Sequence, residues 1–370
     1  MLLLGSAGHL DSLSSAQTSS SVCGVAQVAP IRVEDEIGVE TLRAALSCAE
    51  GGAVEADWAG NITLDEPIAV ADGIFLHVTG DGDLAEAHGM NRTRLFEVSH
   101  DGGLRLTQLK LSGGTAAEGG GAIFSESANL TLDNCTFEGN VATDGNGGAV
   151  WAEGGNVTIV GGEFLSNTAA IYGGAVYAVE GRLVVEGGSR FEGNKAVVGG
   201  GLFCGLAGDM GANDPLVLCS IAHAEFVSNA DVRDNNDDVE DFSYLDGGGA
   251  AAFMFADVDI TNSVFDGNKA RHSGGALHGG AQTEISVNGC TFVDNASEKF
   301  GGAISASSMT LGGSTNFTSY CCSTFEFVEL EYAYLIELLH FCWLLYTAVL
   351  YCHECCLCAH QAPCQVLLLL

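Results

Sequence analysis

The chain has 370 residues, with 47 acidic against 13 basic side chains and a net charge of −34. Such a surface repels nucleic acid and anionic lipid, which excludes both as direct partners, although acidity also serves solubility alone. Glycine is abundant at 51 and proline scarce at 4, which excludes collagen and proline-rich disorder and points to short strands joined by tight turns. The six cysteines before residue 320 (Cys23, Cys48, Cys135, Cys204, Cys219 and Cys290) have no tight spacing. No disulfide framework is therefore expected from them.

In chain order, Met1–Leu4 is apolar but Gly5–Ser21 is polar and lacks a basic start, which makes a poor secretion signal. Residues 1–37 are expected to be poorly ordered. A helix follows over 38–50: Val39, Leu42, Leu46 and Ala49 share one face, and Gly51-Gly52 stop it. Such a helix would plug the open end of a stack of strands. Residues 60–115 read as irregular coils. Their strand patterns are Ile62/Leu64, Ile74/Leu76/Val78 and Leu104/Leu106/Leu109/Leu111.

From about residue 113 two short words alternate. One is Gly-Gly-Ala-apolar, at Gly120-Gly121-Ala122-Ile123, Gly147-Gly148-Ala149-Val150, Gly173-Gly174-Ala175-Val176, Gly274-Gly275-Ala276-Leu277 and Gly301-Gly302-Ala303-Ile304. Variants stand at Gly200-Gly201-Leu202-Phe203 and Gly248-Gly249-Ala250-Ala251. The other word is Phe-x-x-Asn, at Phe137/Asn140, Phe164/Asn167, Phe191/Asn194, Phe226/Asn229, Phe265/Asn268 and Phe292/Asn295. Successive phenylalanines are 27, 27, 35, 39 and 27 residues apart, so the period is 27.

Between the words lie alternating segments such as Leu130/Leu132 and Val157/Ile159, which place both residues on one face of a strand. Each unit therefore reads as turn, strand, turn, strand, turn. A unit of this length buries its apolar face only by coiling once and stacking on its neighbour. The phenylalanines would then form an inner aromatic column and the asparagines an amide ladder. Two residues before each Phe stand Cys135, Gly162, Ser189, Ala224, Ser263 and Cys290, all small. Cys135 and Cys290 are thus expected to be packing residues. The expected fold is all-β, a right-handed parallel β-helix over 38–318.

These words resemble the repeats of the chlamydial polymorphic outer membrane proteins, and the arrangement is similar to right-handed β-helix (pectin lyase-like) proteins in general. The resemblance covers about residues 113–317. It implies a surface-exposed adhesion or interaction passenger and supplies no catalytic residue. No C-terminal barrel pattern follows the repeats, in departure from that family.

Residues 205–247 interrupt the period as an insertion. They contain the acidic run 230–241, in which Asp234, Asp237, Asp238 and Asp241 would offer oxygen ligands to calcium. The spacing lacks the Gly and terminal Glu of the twelve-residue calcium loop, and a solvated acidic loop is the plain alternative. No other cofactor is implied.

Enzymes on acidic polysaccharides need paired carboxylates, or a base with nearby cations. Here Arg182, Arg190, Lys195, Lys269, Arg271 and His272 are scattered. Lys195 and Lys269 follow ladder asparagines, at expected turns, and His272 and His278 read as surface turn residues. Asn-x-Ser/Thr triplets begin at Asn61, Asn91, Asn129, Asn134, Asn156, Asn295 and Asn316. They suit a glycosylated surface protein, but strand sequences also generate them.

Residues 319–370 turn apolar and cysteine-rich. Three readings stand: a translated non-coding or frame-shifted stretch, a membrane anchor over Ala333–Tyr351, or a metal or disulfide knot around Cys352–Cys358. The expected function is a non-enzymatic secreted or cell-surface scaffold for adhesion or contact with polysaccharide or surface glycoprotein. The alternatives are a polysaccharide lyase or epimerase and a purely structural spacer.

Overall fold

The computed structural model describes residues 29–82, 85–206, 216–232 and 247–318, together with the backbone of 321–322. The acidic run with Asp234, Asp237, Asp238 and Asp241, and the tail from 323, lie outside the described residues.

The chain is a parallel β-solenoid of about ten turns. Every strand pairs in parallel with the strand one coil away, forming four sheets of 11, 10, 9 and 8 strands. One coil shows the path. Asn129–Asp133 belongs to the first sheet, Thr136–Glu138 to the second and Val141–Ala142 to the fourth. The chain then turns through Gly147-Gly148 into Val150–Glu153 of the third sheet. L-residue strand twist selects the right-handed sense for such crossovers.

From Gly103 onward each complete coil thus has four strands, where the alternation alone indicated two; the first two coils have three. The Gly-Gly-Ala word opens a strand of its own. The residues after the ladder asparagine pair over only two positions, too short to leave a periodic signature. Lys195–Ala196 and Lys269–Ala270 are such strands, so these lysines sit on the fourth sheet and not in turns.

The glycine pair works by two different means. Gly120 has φ +60, a left-handed corner. Gly121 has ordinary φ, but a Cβ there would strike the backbone carbonyl of Gly148 on the next coil. Register also resets one variant word. Gly201 lies between Ala175 and Ala250, bonding to each at 2.9 Å. The word therefore reads Gly199-Gly200-Gly201-Leu202.

The phenylalanines form the expected inner column. Ring centroids from Phe137 through Phe164, Phe191, Phe226, Phe265 and Phe292 to Phe317 are 4.6–5.1 Å apart, and neighbouring planes differ by at most 10°. Beside them runs the amide ladder. Asn140 donates its backbone N–H and its Nδ2–H to Asn167 Oδ1, both at 3.0 Å, and Nδ2 also reaches Leu111 O at 3.0 Å. The pattern repeats through Asn167, Asn194, Asn229, Asn268 and Asn295. All of these amides are buried, and each is satisfied by the neighbouring coils.

The small site two residues before each Phe serves the same end. Ser189 Oγ accepts from Gly162 N–H at 3.2 Å, and Ser263 Oγ from Ala224 N–H at 3.1 Å. Cys135 and Cys290 are buried free thiols in that row. Burial pushes the Cys135 thiol up to about 12, so it stays protonated and inert at neutral pH.

The N-terminal end is closed by the helix Glu36–Cys48. Asp35 caps it by accepting Gly38 N–H at 2.9 Å, and Val39, Leu42 and Leu46 are buried against the first coil. Ile31–Val33 precedes the helix and pairs with Ala56–Trp58 on the first sheet. The solenoid therefore begins inside the segment 1–37 whose composition suggested poor order; Val33 is fully buried there. Among the described residues no helix is long and apolar enough to cross a membrane.

The interruption at 205–247 resolves into two insertions. Val217–Ala222, Glu225–Val227 and Ala230–Asp231 within it keep full register with the flanking coils. The steps of 35 and 39 therefore each carry one insertion. Cys204 and Cys219 form a disulfide across the coil interior, where spacing indicated none. They meet because one lies inward on the third sheet and the other inward on the first, a pairing that sequence separation does not reveal. Cys48 is also disulfide-bonded.

Candidate functional site

Alternation along a strand places every second residue outward. On the third sheet Ile123, Val150, Val176 and Leu202 point inward, and the next residue of each strand points out. Those residues are Phe124, Trp151, Tyr177 and Phe203, in register on four successive coils. Phe124 and Trp151 stack at 4.2 Å and 7°. Trp151 and Tyr177 follow at 6.3 Å, and Tyr177 and Phe203 at 5.4 Å. Tyr172, from the preceding corner, leans on the last two at 6.1 and 4.9 Å. Val179, Val198 and Ala252 complete this second, external apolar cluster. Phe124 and Trp151 remain half-buried, whereas Tyr177 and Phe203 are 3% and 2% exposed. Burial, then the Glu153 charge, drives the Tyr177 phenol above its ordinary value.

Arg94 closes the row at its N-terminal end. Its guanidinium lies 4.5 Å over the Phe124 ring and donates to Gly119 O at 2.7 Å and Gly120 O at 3.0 Å. Two residues beyond the aromatics stand Glu126 and Glu153 in register, with Glu180 next to them on the following coil. Burial, reinforced by Glu180 and Glu126, raises the Glu153 carboxyl.

The face thus offers an apolar strip bordered by carboxylates. Because the rings stack on one another and on Arg94, the half-buried Phe124 and Trp151 meet solvent with their edges rather than their faces, while Tyr177 and Phe203 are covered. That chemistry supports van der Waals contact and hydrogen-bond acceptance.

Two of the basic residues that a uronate-directed enzyme could use are engaged in ion pairs, whereas Lys195 and Lys269 stand exposed on the fourth sheet. On the second sheet Lys110 binds Glu138 at 2.7 Å and Glu86 at 3.6 Å, and the Glu138 bond raises its pKa. Arg190 binds Glu225 at 2.6 Å and Glu192 at 3.0 Å. His88 Nδ1 lies 2.7 Å from Ser112 Oγ, which donates to Glu86. This places the carboxylate on the hydroxyl and not on the imidazole, the reverse of a hydrolase relay. His272 packs edge-on against Phe300 at 5.5 Å. His278 occupies a third-sheet strand, in register with Ala252 and Ser305, and is not a turn residue.

The aromatic row did leave a mark in the sequence. The residue after each Gly-Gly-Ala-apolar word is aromatic at Phe124, Trp151 and Tyr177, and Phe203 follows Leu202 in the same way.

Residues 134–153 and 262–280 match the Chlamydia polymorphic membrane protein repeat. Two coils of the solenoid thus carry a stretch that matches this repeat. Each matched stretch runs from the corner before the second-sheet phenylalanine, through the buried asparagine and the glycine corner, to the third-sheet strand. These are the positions that coil contacts constrain most tightly. No curated protein and no solved structure matches the chain. The repeat and the β-helix fold fit a surface-associated scaffold.

Proposed function

We propose that the chain is a non-enzymatic secreted or cell-surface scaffold that contacts glycan or a glycoprotein through the outer face of its third sheet. The observation that carries this reading is the half-buried, in-register pair Phe124–Trp151 bordered by Glu126 and Glu153. The exposed ring edges offer van der Waals contact, and the adjacent carboxylates accept hydrogen bonds from the hydroxyls of a sugar chain lying along the solenoid. The Cys204–Cys219 disulfide is consistent with an oxidising, extracytoplasmic location. The lyase or epimerase alternative needs a cation available to neutralise a uronate; Lys110 and Arg190 are each held between two carboxylates, which leaves the exposed Lys195 and Lys269 of the fourth sheet for that role.

A glycan array run with and without calcium, followed by an absorbance assay for lyase product on any uronate polymer bound, tests the reading. The expected result is binding that Trp151→Ala abolishes, without product formation. Turnover, or binding that Trp151→Ala leaves intact, would overturn it. Dependence of binding on calcium would bring the acidic run 230–241 into the contact.

A further inference from the structure

The first and second sheets carry a pattern that the contact reading leaves unused. Seven Asn-x-Ser/Thr triplets occur, and the fold sorts them. Asn295 is 1% exposed: its Nδ2 donates to Phe265 O at 2.8 Å, and its Oδ1 accepts from Asn268 at 3.0 Å. Asn61, Asn91, Asn129, Asn134, Asn156 and Asn316 are all exposed. Asn61 and Asn316 lie on second-sheet strands, and Asn129 lies on a first-sheet strand with Asn156 directly beside it. Asn134 and Asn91 occupy corners before and after second-sheet strands. None of the six lies on the third or fourth sheet.

Backbone conformation explains some of these asparagines but not all. Asn134 and Asn91 have φ of +51 and +56, which asparagine tolerates better than most residues. Asn129 and Asn156 have no such constraint. Their Oδ1 atoms accept the N–H groups of Asn156 and Arg182, both at 3.2 Å, while their Nδ2 groups donate no hydrogen bond among the described residues. Two residues on, Thr131 and Thr158 are register partners, and period-two alternation turns them to the same outer side as the asparagines. Amide nitrogen and hydroxyl are therefore presented together on both coils.

We propose that the first- and second-sheet side of the solenoid is modified by N-linked oligosaccharide, with Asn129 and Asn156 as the primary acceptors, and that the third-sheet face stays bare. In the transfer, Asn Nδ2 attacks the anomeric carbon of a lipid-pyrophosphate-linked oligosaccharide. A C–N bond forms, the C–O bond to phosphate breaks, the lipid pyrophosphate leaves and the amide loses one proton to base. The two acceptors are one strand spacing apart, about 4.8 Å. A single sugar core fills that gap, so each molecule carries sugar on one of the pair. A sugar on Asn295 would remove its amide from the buried ladder, so folded protein lacks it there.

The test is secretion of the full chain behind an added cleavable signal peptide from a eukaryotic cell, removal of N-glycans with peptide-N-glycosidase in 18O-water, and peptide mass mapping. The expected result is 18O-aspartate at Asn129 and Asn156 across the population, and none at Asn295. Thr131→Val and Thr158→Val keep the strand but remove the hydroxyl; each abolishes the label at its own asparagine and leaves the thermal midpoint unchanged. Absence of label from the Asn129–Asn156 pair, label at Asn295, or label that persists in the valine variants would overturn the proposal. The outcome does not depend on whether the third sheet binds glycan.

Discussion

The molecule holds two aromatic stacks, one inside the second sheet and one outside the third, and they differ in every respect except register. The inner stack is all phenylalanine, with spacings of 4.6–5.1 Å and planes within 10°. The outer stack mixes Phe124, Trp151, Tyr177 and Phe203 at 4.2–6.3 Å, with planes up to 20° apart. Close packing explains the difference. An inner site is bounded by the coils above and below and by the opposite wall, so a single volume and orientation fit. An outer site has no opposite wall, and Phe124 and Trp151 stay half-buried even though Tyr177 and Phe203 are covered, so size and orientation are less tightly fixed there. Uniformity here marks a structural role; the varied row is the one proposed above for contact.

That contrast fails most visibly if inner and outer truncations cost the same. Phe191→Ala empties a fully buried site and should lose about 3–5 kcal/mol. Asn194→Ala should lose about 2–4 kcal/mol, because it strands the buried Asn167 N–H and amide and the Phe164 carbonyl. Urea-unfolding midpoints by circular dichroism measure both. An inner loss below that of Trp151→Ala would end the distinction.

The second effect in size concerns the disulfide, which ties the inner faces of the third and first sheets. Replacing Cys204 and Cys219 together by alanine opens a loop with a sequence separation of 15. It should cost about 3 kcal/mol by the chain-entropy relation. Wild-type protein under reductant should match the variant; a variant as stable as oxidised wild type contradicts the staple.

Trp151→Ala is the outer counterpart. It should cost about 1 kcal/mol, as expected for a half-buried surface side chain away from the core, yet abolish glycan retention. The smallest effect is electrostatic. Glu153 has its pKa raised by burial, so the fold favours its protonated form. The stabilisation this gives is fully present below the ordinary value of 4.5 and is lost as pH rises through the raised one. Glu153→Gln should therefore flatten the pH dependence of the melting midpoint just above that value and stabilise slightly at neutral pH. A wild-type profile that instead rises faster with pH than the variant's would reverse the sign.

The sequence is explicit wherever one residue must repeat on every coil. Phe137 and its counterparts, the buried asparagines and the glycine corners are all legible because each is held by an identical neighbour 27 residues away. It is silent where the constraint is a length or a shape. The two-residue strands of the fourth sheet have no period to detect. The strand Ile31–Val33 shows only three residues of alternation, and the meeting of Cys204 with Cys219 depends on which wall each faces. The outer aromatic row was written beside the glycine words, but its chemistry became visible only when register brought four different side chains into one line. Exposure likewise separates the buried Asn295 from the outward Asn129, although both begin the same triplet.

The stacking of coils is tested most directly by cross-linking across one outer register. Glu138 and Leu165 are Cα partners on adjacent second-sheet strands, whereas Glu163 lies two residues out of step with Glu138. Glu138→Cys with Leu165→Cys should form a disulfide on mild oxidation, detected as a linked peptide by mass spectrometry. Glu138→Cys with Glu163→Cys should not, since that offset exceeds the roughly 7 Å Cα limit for a disulfide. A link in the offset pair and none in the register pair would contradict the coil-on-coil alignment.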